Sequence, residues 1–162
     1  MMTKTKWTNK ICLLSLGILL SGGVLLASCG GQKQKTATSN KAEATNVKHI
    51  TAAQMKELVY DFDQHPTEFV YKGDKPAILD FYADWCGPCR KLSPKLEQLA
   101  EKYGDKLIVY KINVDNEQQL ARHFGVSSIP MLLFVPIKGT PIQTMGDLPM
   151  ESLEETLTQI MK

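Results

Sequence analysis

Cys86 and Cys89 stand two residues apart in the run Trp85-Cys86-Gly87-Pro88-Cys89. At this spacing two sulfurs can close a small disulfide ring or open into a dithiol, which is redox chemistry. The run falls between an apolar stretch, Ala77 to Tyr82, and a longer pattern of apolar residues at helical intervals. At a helix start the first sulfur lies beside unsatisfied N–H groups and the positive end of the macrodipole, which favour a thiolate. Cys86 is thus expected to attack. Cys89, one turn in and less exposed, is expected to resolve. Pro88 stiffens the loop, and Gly87 lets another backbone approach. Two other uses of the pair stay open. One is a structural disulfide, plausible in an oxidising compartment. The other is a metal site, although zinc usually takes four protein ligands and His49, His65 and His123 show no ligand spacing.

The elements that would position these sulfurs follow from periodicity. Val47 to Ile50 is a short strand. Thr51 and Gln54 make a capping box, and Met55, Leu58, Val59 and Phe62 then recur at helical spacing. His65-Pro66 and Lys72-Gly73-Asp74 punctuate a connection with room for a short strand at Phe69 to Tyr71. Ala77 to Tyr82, apolar apart from Asp80, has the composition of a central strand. Leu92, Leu96, Leu99, Ala100 and Tyr103 predict a long helix from near Cys86, kinked at Pro94 and stopped by Gly104. Leu107 to Val114 is the next strand, and Gln118 to Phe124 a short helix ended by Gly125. Met131 to Val135 and Ile142 to Met145 are strands around a turn at Lys138-Gly139-Thr140. Leu153, Leu157, Ile160 and Met161 mark a closing helix. The order βαβαβαββα predicts an α/β fold around one mixed sheet, parallel in its strand–helix–strand units and antiparallel at the final hairpin.

The other two cysteines belong to a different part of the chain. Lys4, Lys6 and Lys10 precede an apolar run from Ile11 to Leu26 that ends Leu26-Ala27-Ser28-Cys29. The run is short for a membrane-spanning helix. A positive start, an apolar middle and small residues at the end are the marks of a secretory signal, which takes Cys12 out of the fold. The last four residues resemble the lipobox of bacterial lipoproteins. That resemblance implies cleavage before Cys29 and acylation of its thiol and new amino terminus, enough for stable anchoring. An ordinary cleaved signal and an uncleaved anchor are the alternatives. All three place the remainder outside the cytoplasm. Residues 1–28 are therefore read as signal, 29–46 as lipidated cysteine and tether, and 47–162 as the domain. Gly30 to Asn46 has no large apolar residue and is expected to be a flexible tether. It would span about 20–25 Å as a coil. The 162-residue chain has a formal net charge of +2, but the basic excess sits before residue 47. Residues 47–162 hold 13 basic and 16 acidic residues, which argues against a nucleic-acid partner.

The segment Asp80-Phe81-Tyr82-Ala83-Asp84-Trp85-Cys86-Gly87-Pro88-Cys89 is similar to the active-site segment of thioredoxins. The resemblance continues through Val47-Lys48-His49-Ile50-Thr51, Pro94, Lys111-Ile112-Asn113-Val114-Asp115, Ile129-Pro130 and Gly146. It covers essentially all of 47–162 and implies the thioredoxin fold, a central mixed β-sheet flanked by helices. It further implies a monomer that reduces protein disulfides through Cys86 and Cys89 without a cofactor or bound metal. Asp80 would be a buried carboxylate relaying a proton to or from Cys89, with Lys111 near it. Pro130 would be a cis-proline that keeps metals from the thiols, and Ile129 would lend its backbone to the client. Trp85, Gly87, Pro88, Ile129, Pro130 and Gly146 would together face the substrate. Outside the cytoplasm, in the periplasm, the pair would need a membrane thiol donor for re-reduction. Tyr82 where many members have tryptophan, Met131 after the proline, and an insertion around His65 to Asp74 depart from the pattern. A disulfide-inserting oxidase and a non-catalytic redox or metal-binding module are the alternatives.

Overall fold

The computed structural model of the chain describes residues 46–162. Cys12, Cys29, the signal run and the tether up to residue 45 lie outside the described residues. The elements are β1 (Val47–His49), α1 (Ala52–Leu58), β2 (Ala77–Tyr82), α2 (Gly87–Tyr103), β3 (Ile108–Asn113), α3 (Gln118–His123), β4 (Met131–Val135), β5 (Ile142–Met145) and α4 (Met150–Ile160), with a 3₁₀ turn at Gly104–Lys106. Five strands form one sheet in the order β1-β3-β2-β4-β5. β3 runs parallel to β1 and β2, whereas β4 runs antiparallel to both β2 and β5. This is the thioredoxin fold.

Side chains alternate across each strand, so the sheet buries two faces. On one, Leu79, Phe81, Tyr110 and Ile112 pack with Met55 of α1 and Leu120 of α3. On the other, Ile78, Val109, Leu132 and Phe134 meet Leu92, Leu96 and Leu99 of α2 and Leu153 and Leu157 of α4. Asp80 has the parity of Ile78, and Lys111 that of Val109. Both therefore point toward α2.

Four expectations are corrected. The reversal of β4 is wider than the final hairpin, since β4 is already antiparallel to β2. Six-residue α3 rises only about 9 Å, while six-residue β3 spans about 20 Å. The chain is not carried back to the far end of the sheet, so it re-enters from the end where β3 left. The first helix stops at Leu58, short of Phe62. The Lys72 N–H bonds the Val59 carbonyl at 2.8 Å, and the Tyr60 N–H reaches back to the Met55 carbonyl at 2.8 Å. Leu58 is then 37% exposed, and Phe62 is buried from a turn instead. Residues 69–71 form no strand, although Phe69 and Tyr71 pack inward on the α1 face. Asn46, placed in the tether by composition, belongs to the sheet edge, because its carbonyl accepts the Val109 N–H at 2.8 Å.

Candidate active site

β2 ends at Tyr82, and α2 begins at Gly87 with Cys86 as its N-cap. The Cys86 Sγ accepts the Cys89 N–H at 3.2 Å. That amide is one of those a helix start leaves without an intrahelical acceptor. An N-cap is ordinarily an oxygen of Ser, Thr, Asp or Asn. A sulfur in this place gives the helix its cap and gives any charge on the sulfur a donor. Pro88 fits the first turn because its missing N–H would have had no helical acceptor there. Cys86 and Cys89 are joined in a disulfide with Cα atoms 5.3 Å apart.

The expectation that Cys89 is the less exposed of the two is corrected: they are buried alike, at 4% and 5% exposure. Ala83 shares one buried cluster with both cysteines, and Tyr82, Val114 and Ile129 pack against that cluster. What separates the two cysteines is the capping position, which Cys86 alone holds.

Around the ring, Trp85 is 68% exposed and its indole Nε1 donates to the Asp115 carboxylate at 2.9 Å. A Cβ on Gly87 would meet only the Arg90 guanidinium within 4 Å, so its missing side chain leaves open space. The Ile129–Pro130 peptide is cis, and Ile129 packs on the disulfide. The Pro130 carbonyl accepts the Gly146 N–H at 2.9 Å, with Gly146 at φ +89°, in the region only glycine occupies freely.

One turn along α2 from Cys89, Ser93 meets a polar row set within an apolar layer. Lys111 is the register partner of both Asp80 and His49, and Leu132 continues the row on β4. Lys111 Nζ donates to Asp80 Oδ2 at 2.8 Å and to Ser93 Oγ at 2.7 Å. It also lies 4.7 Å from the centre of the Tyr82 ring, within cation–π range. The Tyr82 hydroxyl and His49 Nδ1 are hydrogen-bonded at 3.1 Å. Asp80 is 2% exposed, and its Oδ1 is buried with no hydrogen-bond partner among the described residues. Burial pushes its carboxyl above the usual carboxylate range, against the opposing pull of Lys111 and, more weakly, His49. Lys111, which in isolation would be taken for an exposed strand residue, is buried.

The structure thus brings Cys86, Cys89, Ile129 and Pro130 to one surface and sets Asp80 with Lys111 on the face under α2. Sequence reasoning missed Ser93, Asp115 and the His49–Tyr82 bond. For Ser93 a signal existed: it lies four residues after Cys89, one turn along the same helix face.

The thioredoxin family model matches residues 57–159. The chain belongs to the thioredoxin family. Thioredoxin of Borreliella burgdorferi is 41% identical over 99 residues, covering 61% of this chain and 84% of the relative. Thioredoxin of Haemophilus influenzae is 36% identical over 105 residues, covering 65% and 98%. Among solved structures, chloroplastic thioredoxin z aligns with a TM-score of 0.60 at 29% identity, covering 71% of this chain and 94% of that one. A thioredoxin of Malassezia sympodialis aligns at 0.57 and 30% identity, covering 72% and 91%. As a thioredoxin, the chain is a thiol–disulfide oxidoreductase acting on disulfide-containing proteins.

Proposed function

We propose that this thioredoxin works in the reducing direction, outside the cytoplasm, anchored by lipid on Cys29 in the periplasm and recharged by a membrane thiol donor. The observation that carries the reaction is Cys86 at the N-cap of α2, its sulfur accepting the Cys89 N–H. The same donor and the helix dipole favour a thiolate once the ring is open. The thiolate attacks one sulfur of a client disulfide, joins it and releases the other as a thiolate. Asp80 takes the Cys89 proton. The Cys89 thiolate then attacks Cys86 Sγ, closes the ring and expels the reduced client. Electrons pass from the dithiol to the client, so no cofactor takes part. The Gly-Pro pair between the cysteines favours reduction over disulfide insertion. Ile129 and Pro130 receive the client backbone beside the ring, flanked by Trp85, Gly87, Pro88 and Gly146. The signal run and the Leu26-Ala27-Ser28-Cys29 lipobox support the location.

Insulin reduction with dithiothreitol tests the chemistry. The protein is expected to accelerate turnover, Cys86→Ser to abolish it, and Cys89→Ser to accumulate mixed disulfide. Stoichiometric metal binding without turnover would identify a binding module instead.

A further inference from the structure

The ammonium of Lys111 has three hydrogens and three places to direct them. Asp80 Oδ2 takes one at 2.8 Å, Ser93 Oγ takes one at 2.7 Å, and the Tyr82 ring lies 4.7 Å from the nitrogen. Asp80 Oδ1 receives none from the described residues. A buried ammonium seeks an acceptor for every N–H, because an unsatisfied one carries its full desolvation cost. Without the serine hydroxyl, Asp80 Oδ1, on the carboxylate that Lys111 already contacts, is a buried acceptor open to that N–H. We infer that Ser93 is a positioning residue for the proton step: by holding Lys111 on Oδ2, it keeps Oδ1 of Asp80 as the oxygen that exchanges the proton with Cys89. This inference rests on the relay assigned to Asp80 under Proposed function.

The groups around this oxygen come from every neighbouring element. β1 contributes His49, bonded to the Tyr82 hydroxyl of β2. β3 contributes Lys111, and β4 faces Asp80 with apolar Leu132. α2 contributes Ser93, with Cys89 one turn nearer its start. Ser93 is the neutral member that shares the ammonium. The serine hydroxyl adds no charge, so its loss acts through the placement of Lys111. In the step concerned, the Cys89 thiol gives its proton to Oδ1. The resulting thiolate bonds to Cys86 Sγ, and the client sulfur leaves as a thiolate.

The test is stopped-flow release from 5,5′-dithiobis-(2-nitrobenzoic acid) by the reduced full chain across pH, with Cys12 and Cys29 replaced by Ala in parent and variants alike so that only Cys86 and Cys89 react. Attack by Cys86 frees the first nitrothiolate and resolution by Cys89 the second. In Ser93→Ala the ammonium moves onto both carboxylate oxygens and strengthens the charged form of Asp80. The acid limb of the second phase is expected to fall by about one pH unit. Its plateau should fall about threefold, as for a weaker base, while the first phase keeps its profile. Ser93→Thr, which retains the hydroxyl, is expected to restore both values. A Ser93→Ala profile superimposable on the parent overturns the inference, as does an equal shift in Ser93→Thr. Asp80→Asn separates the two layers. If its second phase retains the parent's acid limb, the relay itself is wrong and the role of Ser93 fails with it. If that limb vanishes while Ser93→Ala changes nothing, only the role of Ser93 fails.

Discussion

Asp80 is pulled two ways, and burial outweighs Lys111, so its carboxyl titrates above the ordinary range. A group with a raised folded pKa stabilises the fold below its unfolded value, about 3.9 for Asp. That contribution is lost as pH rises through the folded value. Asparagine imitates the neutral acid at every pH and can still accept from Lys111. Asp80→Asn is therefore expected to raise the denaturation midpoint near about pH 8 and to lose that advantage toward about pH 4. Denaturant titrations at both values check this, and a loss of stability at the higher pH would show the ion pair to be chiefly structural. Trp85 offers a second measurement, being the single tryptophan among the described residues and the chain neighbour of Cys86. A disulfide close to an indole quenches it by electron transfer, so reduction is expected to raise its emission. The midpoint in a thiol buffer should lie well to the reducing side of about −120 mV, the range of a strong oxidant. A midpoint in that oxidant range would favour the oxidase. The dithiol is legible in the sequence because its motif is local. The burial of Lys111 is not, since the side a strand residue faces depends on register with Asp80, 31 positions away. Ser93 stands one helical turn after Cys89, which is legible, but its bond to Lys111 is not, because that partner stands on another element.

The connection between α1 and β2 is where element prediction failed and where a local test is sharpest. Tyr71 donates its hydroxyl to the Lys75 carbonyl at 2.7 Å and packs on the core face under α1. A Cβ on Gly73 would fall onto that hydroxyl and the ring carbon bearing it. Gly73→Ala is therefore expected to cost about 1–3 kcal/mol, the usual range for overpacking, by displacing Tyr71. Urea unfolding would check the loss, with insulin reduction at low temperature remaining near the parent rate. An unchanged midpoint would mean that Tyr71 swings aside without cost. The same connection explains why the helix ends at Leu58. Met55, Val59 and Phe62 carry helical spacing, but the Lys72 N–H takes the Val59 carbonyl from 13 residues downstream, a contact no local pattern announces. Strands β4 and β5 were legible to the residue because Pro130, Pro136 and Gly146 bound them. The direction of β4 was not, because periodicity reports which face is apolar and is silent on which way the chain runs.

At the scale of the whole molecule the chain has two chemically distinct parts. Residues 47–162 carry 13 basic and 16 acidic residues, whereas every charged residue before Cys29 is a lysine. An acidic domain gains nothing from an anionic bilayer surface, where only Lys and Arg are drawn inward. The lipid proposed on Cys29 would then supply the attachment that the domain's own field does not. The proposed tether, about 20–25 Å long if it is a coil, would leave the dithiol chemistry independent of the anchor. Cys29→Ala removes the acylation site and leaves Cys86 and Cys89 untouched. The expected outcome is a protein that either escapes processing or appears in the soluble periplasmic fraction. Purified, it should reduce insulin at the parent rate, because no step of the exchange uses residue 29. Fractionation followed by metabolic labelling with a fatty acid distinguishes the cases. Parent chain labelled, with Cys29→Ala unlabelled and either soluble or uncleaved, supports the lipoprotein. Cys29→Ala still cleaved, still sedimenting with membranes and unlabelled like the parent identifies an ordinary signal with a peripheral attachment. Cys29→Ala uncleaved and membrane-bound, with the parent also uncleaved, identifies a retained anchor. Only the first outcome requires the cysteine itself, and it alone makes the distance from bilayer to dithiol a property of the tether.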